Sequence, residues 1–227
     1  MILESIVENK KKELAHYPAR KDFLAAITQG NIQVIAEVKQ KSPSTGTLCS
    51  SYEPEKIAHR YKKGGAAAIS VLTDQAFFGG KMSDIARVKE ATDLPILCKD
   101  FIIDQRQVYE AYQQGADAVL LIMRILSVDE AQYLKNIIES LGMTALIEIF
   151  DEHDLDKALK INPKILMINH RNLDTLNVSY DHTQLLIERI PENIPLIAAS
   201  GISHPEEVLN LPPRIVGVLI GTSLLRA

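Results

Sequence analysis

The chain has no tryptophan, only two cysteines and no excess of positive charge. Cys49 and Cys98 have no metal-ligand spacing, which favours a reduced intracellular compartment, and we expect a cytoplasmic protein. The net charge of -4 leaves no electrostatic footprint for a nucleic acid. The six histidines are scattered, without i,i+4 or i,i+2 pairs, so we expect no metal site.

Long apolar runs are also missing. No stretch approaches the roughly 18 apolar residues that cross a bilayer, and the first segment, MILESIVENKKKEL, is charged throughout, unlike a signal peptide. We therefore expect no membrane partner. The absence of a linker, a low-complexity tract or a composition shift predicts one domain over residues 1–227.

Short apolar runs alternate with amphipathic segments along the chain. The runs typical of buried strands lie near residues 33–38, 67–72, 95–99, 117–122, 144–149, 164–168, 194–198 and 214–220. The segments typical of helices lie near residues 54–64, 83–92, 104–114, 127–141, 151–160, 179–189 and 205–210. Strict alternation predicts right-handed crossovers and a parallel sheet.

Eight such units in one chain of this length predict an α/β fold, a (β/α)₈ TIM barrel; an open doubly wound sheet is the alternative. An extra N-terminal helix near residues 2–15 either covers the bottom of the barrel or leans over the site as a lid. Only Thr222 to Ala227 follow the last strand, so we expect the eighth helix to be shortened or missing. The first helix, a partner subunit at the C-terminal strand or a shortened terminal turn would then cover that strand.

The first strand has an unusual pattern, VIAEVKQKSPS over Val34 to Ser44. Glu37 and Lys39 are two residues apart, so a strand places both on one face. Charged groups in an apolar run are costly unless they are paired or used. This pattern indicates one wall of an active site, and the alternative is an ion pair that plugs the barrel end.

Other strand ends also carry polar residues, where the chemistry of a (β/α)₈ barrel takes place. Lys99 and Glu148 follow apolar runs, and Arg171 is suited to carboxylate recognition. The alternatives are a paired structural lysine, a core carboxylate and a residue that pins a loop. Gly201 and Gly221 follow the seventh and eighth strands, where the loops of this fold commonly hold a phosphate.

These residues belong to longer stretches that resemble indole-3-glycerol phosphate synthase. The stretches occur in family order over nearly the whole chain: IAEVKQKSPSTG, ISVLTDQAFFGG, LPILCKDFIIDQRQVYEAYQQGADAVLLI, ALIEIFDEHDLDKAL, INHRNLDTL, ASGISHPEEV and GVLIGTSLLR. The resemblance implies a single barrel with an extra N-terminal helix and no metal or organic cofactor. It also implies a lyase of tryptophan biosynthesis that closes the indole ring of 1-(2-carboxyphenylamino)-1-deoxyribulose 5-phosphate, with loss of carbon dioxide and water.

The resemblance also implies residue roles. Lys99 would be the general acid at the ribulose carbonyl, and Lys39 the second lysine, which protonates the departing hydroxyl. Glu148 would remove a proton, and Glu37 would orient Lys99 and the substrate hydroxyls. Asn169 and Arg171 match the residues near the substrate carboxylate, and Ser200 is also expected to bind the substrate. The matches to the apolar pocket for its ring are Phe78, Phe101, Leu120, Ile122 and Leu173. The matches to the phosphate site are Ser42, Gly201, Gly221 and Thr222.

Two departures from the family pattern stand out. Ala199 replaces the family's acidic residue before Ser200-Gly201, and few residues follow the last strand to form the family's C-terminal helix. Two other functions therefore stay open: a catalytically weakened or inactive homologue that binds a phosphate ligand or a partner, and a sibling sugar-phosphate isomerase or aldolase. We expect a small phosphorylated substrate and a monomer or weak oligomer.

Overall fold

Eight parallel strands close into a barrel. The structure is a computed structural model that describes residues 2–14, 20–43, 46–48, 51–172, 175–180, 182–202 and 204–226. Numbered in chain order, the barrel strands are β1 (Gln33–Val38), β4 (Ala68–Leu72), β5 (Ile96–Lys99), β6 (Ala118–Ile122), β7 (Thr144–Ile149), β8 (Leu166–Asn169), β9 (Leu196–Ala199) and β10 (Ile215–Ile220). The first and last strands pair in register from Gln33↔Gly217 to Ala36↔Ile220. The predicted (β/α)₈ barrel is confirmed, and the open doubly wound sheet is wrong.

Helices follow the barrel strands. The helices that the structure describes are α1 (Ile2–Leu14), α2 (Phe23–Ile27), α3 (Pro54–Lys63), α4 (Gln75–Phe78), α5 (Asp84–Ala91), α6 (Gln105–Gln114), α7 (Val128–Ser140), α8 (Glu152–Lys160), α9 (Thr183–Arg189), α10 (Pro205–Leu209) and α11 (Thr222–Arg226). Two short strands, β2 (Lys41–Ser42) and β3 (Gly46–Thr47), pair antiparallel in the loop after β1. In the described ranges, no helix is long and apolar enough to span a bilayer.

The apolar runs are continuous because both faces of each strand are buried. In β5, Leu97 points into the barrel interior and Cys98 into the outer layer between strands and helices. In β7, Leu146 points into the barrel interior and Ile147 into the outer layer. This alternation gives an inner and an outer apolar cluster, and it decides which polar residues at the strand ends can enter the barrel mouth.

The bottom of the barrel is filled by α2, which the sequence pattern did not predict. Asp22 caps this helix by accepting a hydrogen bond from Ala25 N at 2.8 Å. Phe23 and Ile27 are fully buried in the inner cluster. Five residues are too few to show a helical period, so sequence reasoning had no signal for α2.

The N-terminal helix α1 is confirmed as an extra helix, but every residue from 2 to 12 is exposed. Its apolar side chains include Ile2, which is 82% exposed, and Leu3, which is 69% exposed. The expected role of covering the bottom of the barrel is wrong for α1, because α2 fills that end. Nor do the exposed side chains of α1 close over the site in this structure.

A short helix, α11, follows the last strand. Five residues form α11, and Leu224 and Leu225 pack against the outer cluster. Of the two expected outcomes, the eighth helix is shortened rather than missing. Whether a partner also binds at this strand stays a prediction.

Candidate active site

A cavity of about 690 Å³ opens at the carboxyl ends of the barrel strands. Side chains and loops that follow β1, β5, β8, β9 and β10 form its wall. Most residues predicted to form the site lie in this wall: Glu37, Lys39, Ser42, Phe78, Lys99, Asn169, Arg171, Ser200, Gly201, Gly221 and Thr222.

Glu37 lies between the two predicted lysines. Lys39 Nζ donates to Glu37 Oε1 at 2.5 Å, and Lys99 Nζ lies 3.7 Å from Glu37 Oε2. Burial acts to raise the pKa of the Glu37 carboxyl, but the two ammonium groups outweigh it and the pKa is lowered. The strand period of two explains why Glu37 and Lys39 share the cavity. Lys99 reaches them because β4 pairs with both β1 and β5.

Glu148 does not itself line the cavity, but it contacts Asn169, which does, and it has a different environment from Glu37. It is 3% exposed, and its Oε1 accepts a hydrogen bond from Asn169 Nδ2 at 3.2 Å. Burial raises the pKa of the Glu148 carboxyl, and the charge of Lys99 and the Asn169 hydrogen bond offset this only in part. Among the described residues, nothing hydrogen-bonds its buried Oε2.

The pKa values of the Glu37 and Glu148 carboxyl groups are therefore shifted in opposite directions. Glu37 stays ionised between two cations, whereas Glu148 is the more basic group and has an unpaired oxygen. Paired acids whose pKa values diverge are typical of sites that divide the roles of electrostatic support and proton transfer.

Gly221 leaves space for the ion pair between Glu37 and Lys39. A Cβ atom built on Gly221 would collide with Glu37 Oε1 and would lie 3.0 Å from Lys39 Nζ. Any side chain at Gly221 would displace the Glu37–Lys39 pair. The sequence interpretation of this glycine, an open backbone for a phosphate, missed this second reason.

An aromatic wall faces the charges. Asp74 caps α4 by accepting hydrogen bonds from Phe77 N and Phe78 N, which places the Phe78 ring 6.3 Å from the ring of Phe101. Phe101 itself is 37% exposed beside the cavity.

Two residues predicted for the ring pocket belong to the inner apolar cluster. Leu120 is fully buried and Ile122 is 5% exposed, at the level where β6 pairs with Glu148 of β7. Their contact with the substrate ring stays a prediction. Leu173 lies outside the described residues.

Arg171 is held at the rim by its own loop. Its Nη1 donates to Leu176 O at 2.7 Å, and Asn169 Oδ1 accepts from Arg171 N at 3.0 Å. Leu176 has a positive φ of 62°, a conformation that few non-glycine residues adopt. The loop therefore constrains the guanidinium, and the Arg171 backbone N–H contacts the same Asn169 side chain that contacts Glu148.

Several residues of the site had no sequence signal. Thr73 Oγ1 donates to Asp100 Oδ2 at 2.5 Å, which ties the ends of β4 and β5 together next to Lys99. The cavity wall also contains residues that the pattern did not assign: Leu176, Ile202, His204, Leu219 and Ser223. Most lie on irregular loops, where no period or motif marks which side chain turns inward.

One group of side chains away from the cavity resembles a cation site. Asp151, His153 and Asp154 offer ligand atoms within 4.8 Å of one another. Arg124 already binds both carboxylates, at 2.5 Å from Asp151 Oδ2 and 3.4 Å from Asp154 Oδ2. A metal ion would have to displace this guanidinium, so the group is better described as an ion-pair network.

Comparison with known proteins gives a consistent result. The model of the family indole-3-glycerol phosphate synthase matches residues 3–227. Proteins of that name are 45% identical in Rippkaea orientalis (95% of this chain, 77% of the relative) and 38% identical in Desulforamulus reducens (100% and 87%). A solved N-acetylmannosamine-6-phosphate 2-epimerase from Clostridium perfringens superposes with a TM-score of 0.68 at 19% identity, over 91% of this chain and 93% of that chain. The last likeness shows the barrel fold alone.

Proposed function

The chain belongs to the indole-3-glycerol phosphate synthase family, and on that basis we propose how its cavity performs the reaction. The substrate is 1-(2-carboxyphenylamino)-1-deoxyribulose 5-phosphate, and the products are indole-3-glycerol phosphate, carbon dioxide and water. The observation that supports this assignment most is the placement of Lys39 and Lys99 on the two oxygens of Glu37, with the unpaired oxygen of Glu148 in the same barrel mouth.

Ring closure comes first. The ring carbon that bears the carboxylate attacks the ribulose carbonyl, and Lys99 protonates the carbonyl oxygen as its negative charge develops. Glu37 holds the ammonium of Lys99 in place without burying an unpaired cation. Loss of carbon dioxide then restores the aromatic ring.

Dehydration follows. Lys39 protonates the departing hydroxyl, and Glu148 takes the proton that must leave to form the indole double bond. The raised pKa of Glu148 makes it a stronger base than an exposed glutamate, and its Oε2 is free to accept. Glu37 Oε1 accepts a hydrogen bond from Lys39 Nζ at 2.5 Å, which orients the ammonium group.

The substrate is held at both ends. Arg171 and Asn169 bind the carboxylate of the anthranilate group, and Phe78 with Phe101 contacts the aromatic ring. At the opposite side, the phosphate is bound by the hydroxyls of Ser42 and Thr222, by Ser200, and by the backbone of Gly201 and Gly221. We infer that the whole chain acts as one barrel domain.

The direct test uses the purified protein and the carboxyphenylamino deoxyribulose phosphate. We expect the fluorescence of indole-3-glycerol phosphate to appear, and Lys99→Met to slow its appearance about 10²–10⁴-fold. Inorganic phosphate should inhibit competitively. If the wild-type protein binds the substrate but forms no indole, the chain is a binding homologue rather than a catalyst.

A further inference from the structure

His170 lies behind the cavity wall, between the ends of β8 and β9, and the mechanism above does not use it. It is fully buried, and its Nδ1 lies 3.3 Å from the carbonyl oxygen of Ser200. A carbonyl oxygen can only accept a hydrogen bond, so Nδ1 is assigned the proton on the basis of this contact. The backbone of His170 adds two more bonds, from its own N to Ala199 O and from Ser179 N to its O, each 2.9 Å.

The carbonyl that His170 holds belongs to a constrained turn. Ser200 has a φ of 69° and Gly201 a φ of 82°, so two successive residues are left-handed. A serine seldom adopts this conformation unless its surroundings require it. The hydrogen bond from His170 is one such requirement, because it determines the direction of the Ser200 carbonyl.

The direction of that carbonyl also sets the direction of the next N–H. In a planar trans peptide, the Ser200 C=O and the Gly201 N–H point to opposite sides. Since the carbonyl points back towards buried His170, the N–H points away from it, and Gly201 lines the cavity. Within the described ranges, no protein atom accepts a hydrogen bond from Gly201 N.

A second contact supports the same turn. The ring of Tyr180 packs on His170 with 4.4 Å between centroids, and the Tyr180 hydroxyl lies so close to Gly201 that a Cβ there would collide with it. Burial lowers the pKa of His170 to about 4, so the imidazole is neutral near pH 7 and adds no charge of its own to the cavity.

We infer that His170 is a positioning residue: its Nδ1–H holds the Ser200 carbonyl so that the Gly201 N–H points at the phosphate of the substrate. This inference rests on the proposed function, because it assumes that the phosphate binds at Gly201. It assigns to His170 an effect on substrate binding rather than on the chemical step.

Two substitutions separate the hydrogen bond from the packing. His170→Asn retains a donor, since the asparagine Nδ2 can take the place of Nδ1, but loses the ring. His170→Phe retains a ring against Tyr180 but loses the donor. Both variants are compared with wild type by KM, kcat, the inhibition constant of inorganic phosphate and thermal unfolding.

We expect His170→Phe to raise KM and the phosphate inhibition constant about fivefold, the effect of one neutral hydrogen bond, with kcat within about twofold of wild type. His170→Asn should retain near-wild-type phosphate affinity. His170→Phe should unfold at a higher temperature than His170→Asn, because phenylalanine fills the buried site and removes Nε2, which has no hydrogen-bond partner among the described residues.

If His170 only stabilised the fold, His170→Asn would be both the less stable variant and the one with the weaker phosphate affinity. That result would overturn the inference. Equal phosphate affinity in all three proteins, or no phosphate binding by the wild type, would also overturn it. If the wild type binds phosphate in the expected order of variants but forms no indole, the proposed function fails and the inference stands.

Discussion

Replacing Glu37 by glutamine removes the single negative charge between two cations. The side chain keeps its shape and can still accept one hydrogen bond, so the change tests charge rather than packing. Lys39 and Lys99 would then face each other in the barrel mouth without the carboxylate that contacts them at 2.5 and 3.7 Å. We expect a loss of both stability and catalysis.

The size of the stability loss follows from burial. Removing one partner of a buried ion pair costs about 3–5 kcal/mol. The side chains of Lys39 and Lys99 are 12% and 20% exposed, so water reaches both ammonium groups and we expect about 2–3 kcal/mol. For a chain of this size that lowers the melting temperature by about 4–12 °C.

The loss should depend on pH. The two lysines outweigh burial and lower the pKa of Glu37 in the folded protein. A carboxyl whose pKa is lowered by folding stabilises the protein above its unfolded pKa, and that contribution is lost as the pH falls through the folded pKa. The difference between wild type and Glu37→Gln should therefore be largest near pH 7 and shrink in the acid range.

Urea unfolding of both proteins at several pH values measures this difference. A matched control is Glu55→Gln, because Glu55 is 36% exposed and pairs with Arg87 at the surface. The control should cost less than about 1 kcal/mol. Equal stability of Glu37→Gln and wild type at neutral pH, or a deficit that does not change with pH, would refute this account of the cluster.

Three further substitutions test the division of roles. Lys99→Met should lower kcat about 10²–10⁴-fold, while inorganic phosphate should still compete with the substrate for the site. Turnover at the wild-type rate would exclude Lys99 as the acid. Glu148→Gln should also lose turnover, yet unfold at a higher temperature, because burial disfavours the charged form of Glu148; a lower melting temperature would contradict this. Ala199→Glu, which places a carboxylate in the cavity wall, should raise kcat/KM if the rest of the site is intact, and an unchanged or lower value would show that the pocket is organised differently.

By itself, the sequence determined the alternation of elements and the chemistry at the strand ends. Continuous apolar runs such as those around Leu97 and Leu146 mark strands buried on both faces, and the period of two places Glu37 and Lys39 on the same side. These are local signals, and they were sufficient for the barrel and for most of the residues that line its mouth.

Only the tertiary structure decided which of those residues meet. Lys99 reaches Glu37, more than sixty residues earlier in the chain, because β4 pairs with both of their strands. The opposite pKa directions of Glu37 and Glu148 follow from their neighbours rather than from their type. The sequence also did not show that Leu120 is fully buried in the inner cluster. Burial and contact across the barrel depend on packing in three dimensions, which no local period encodes.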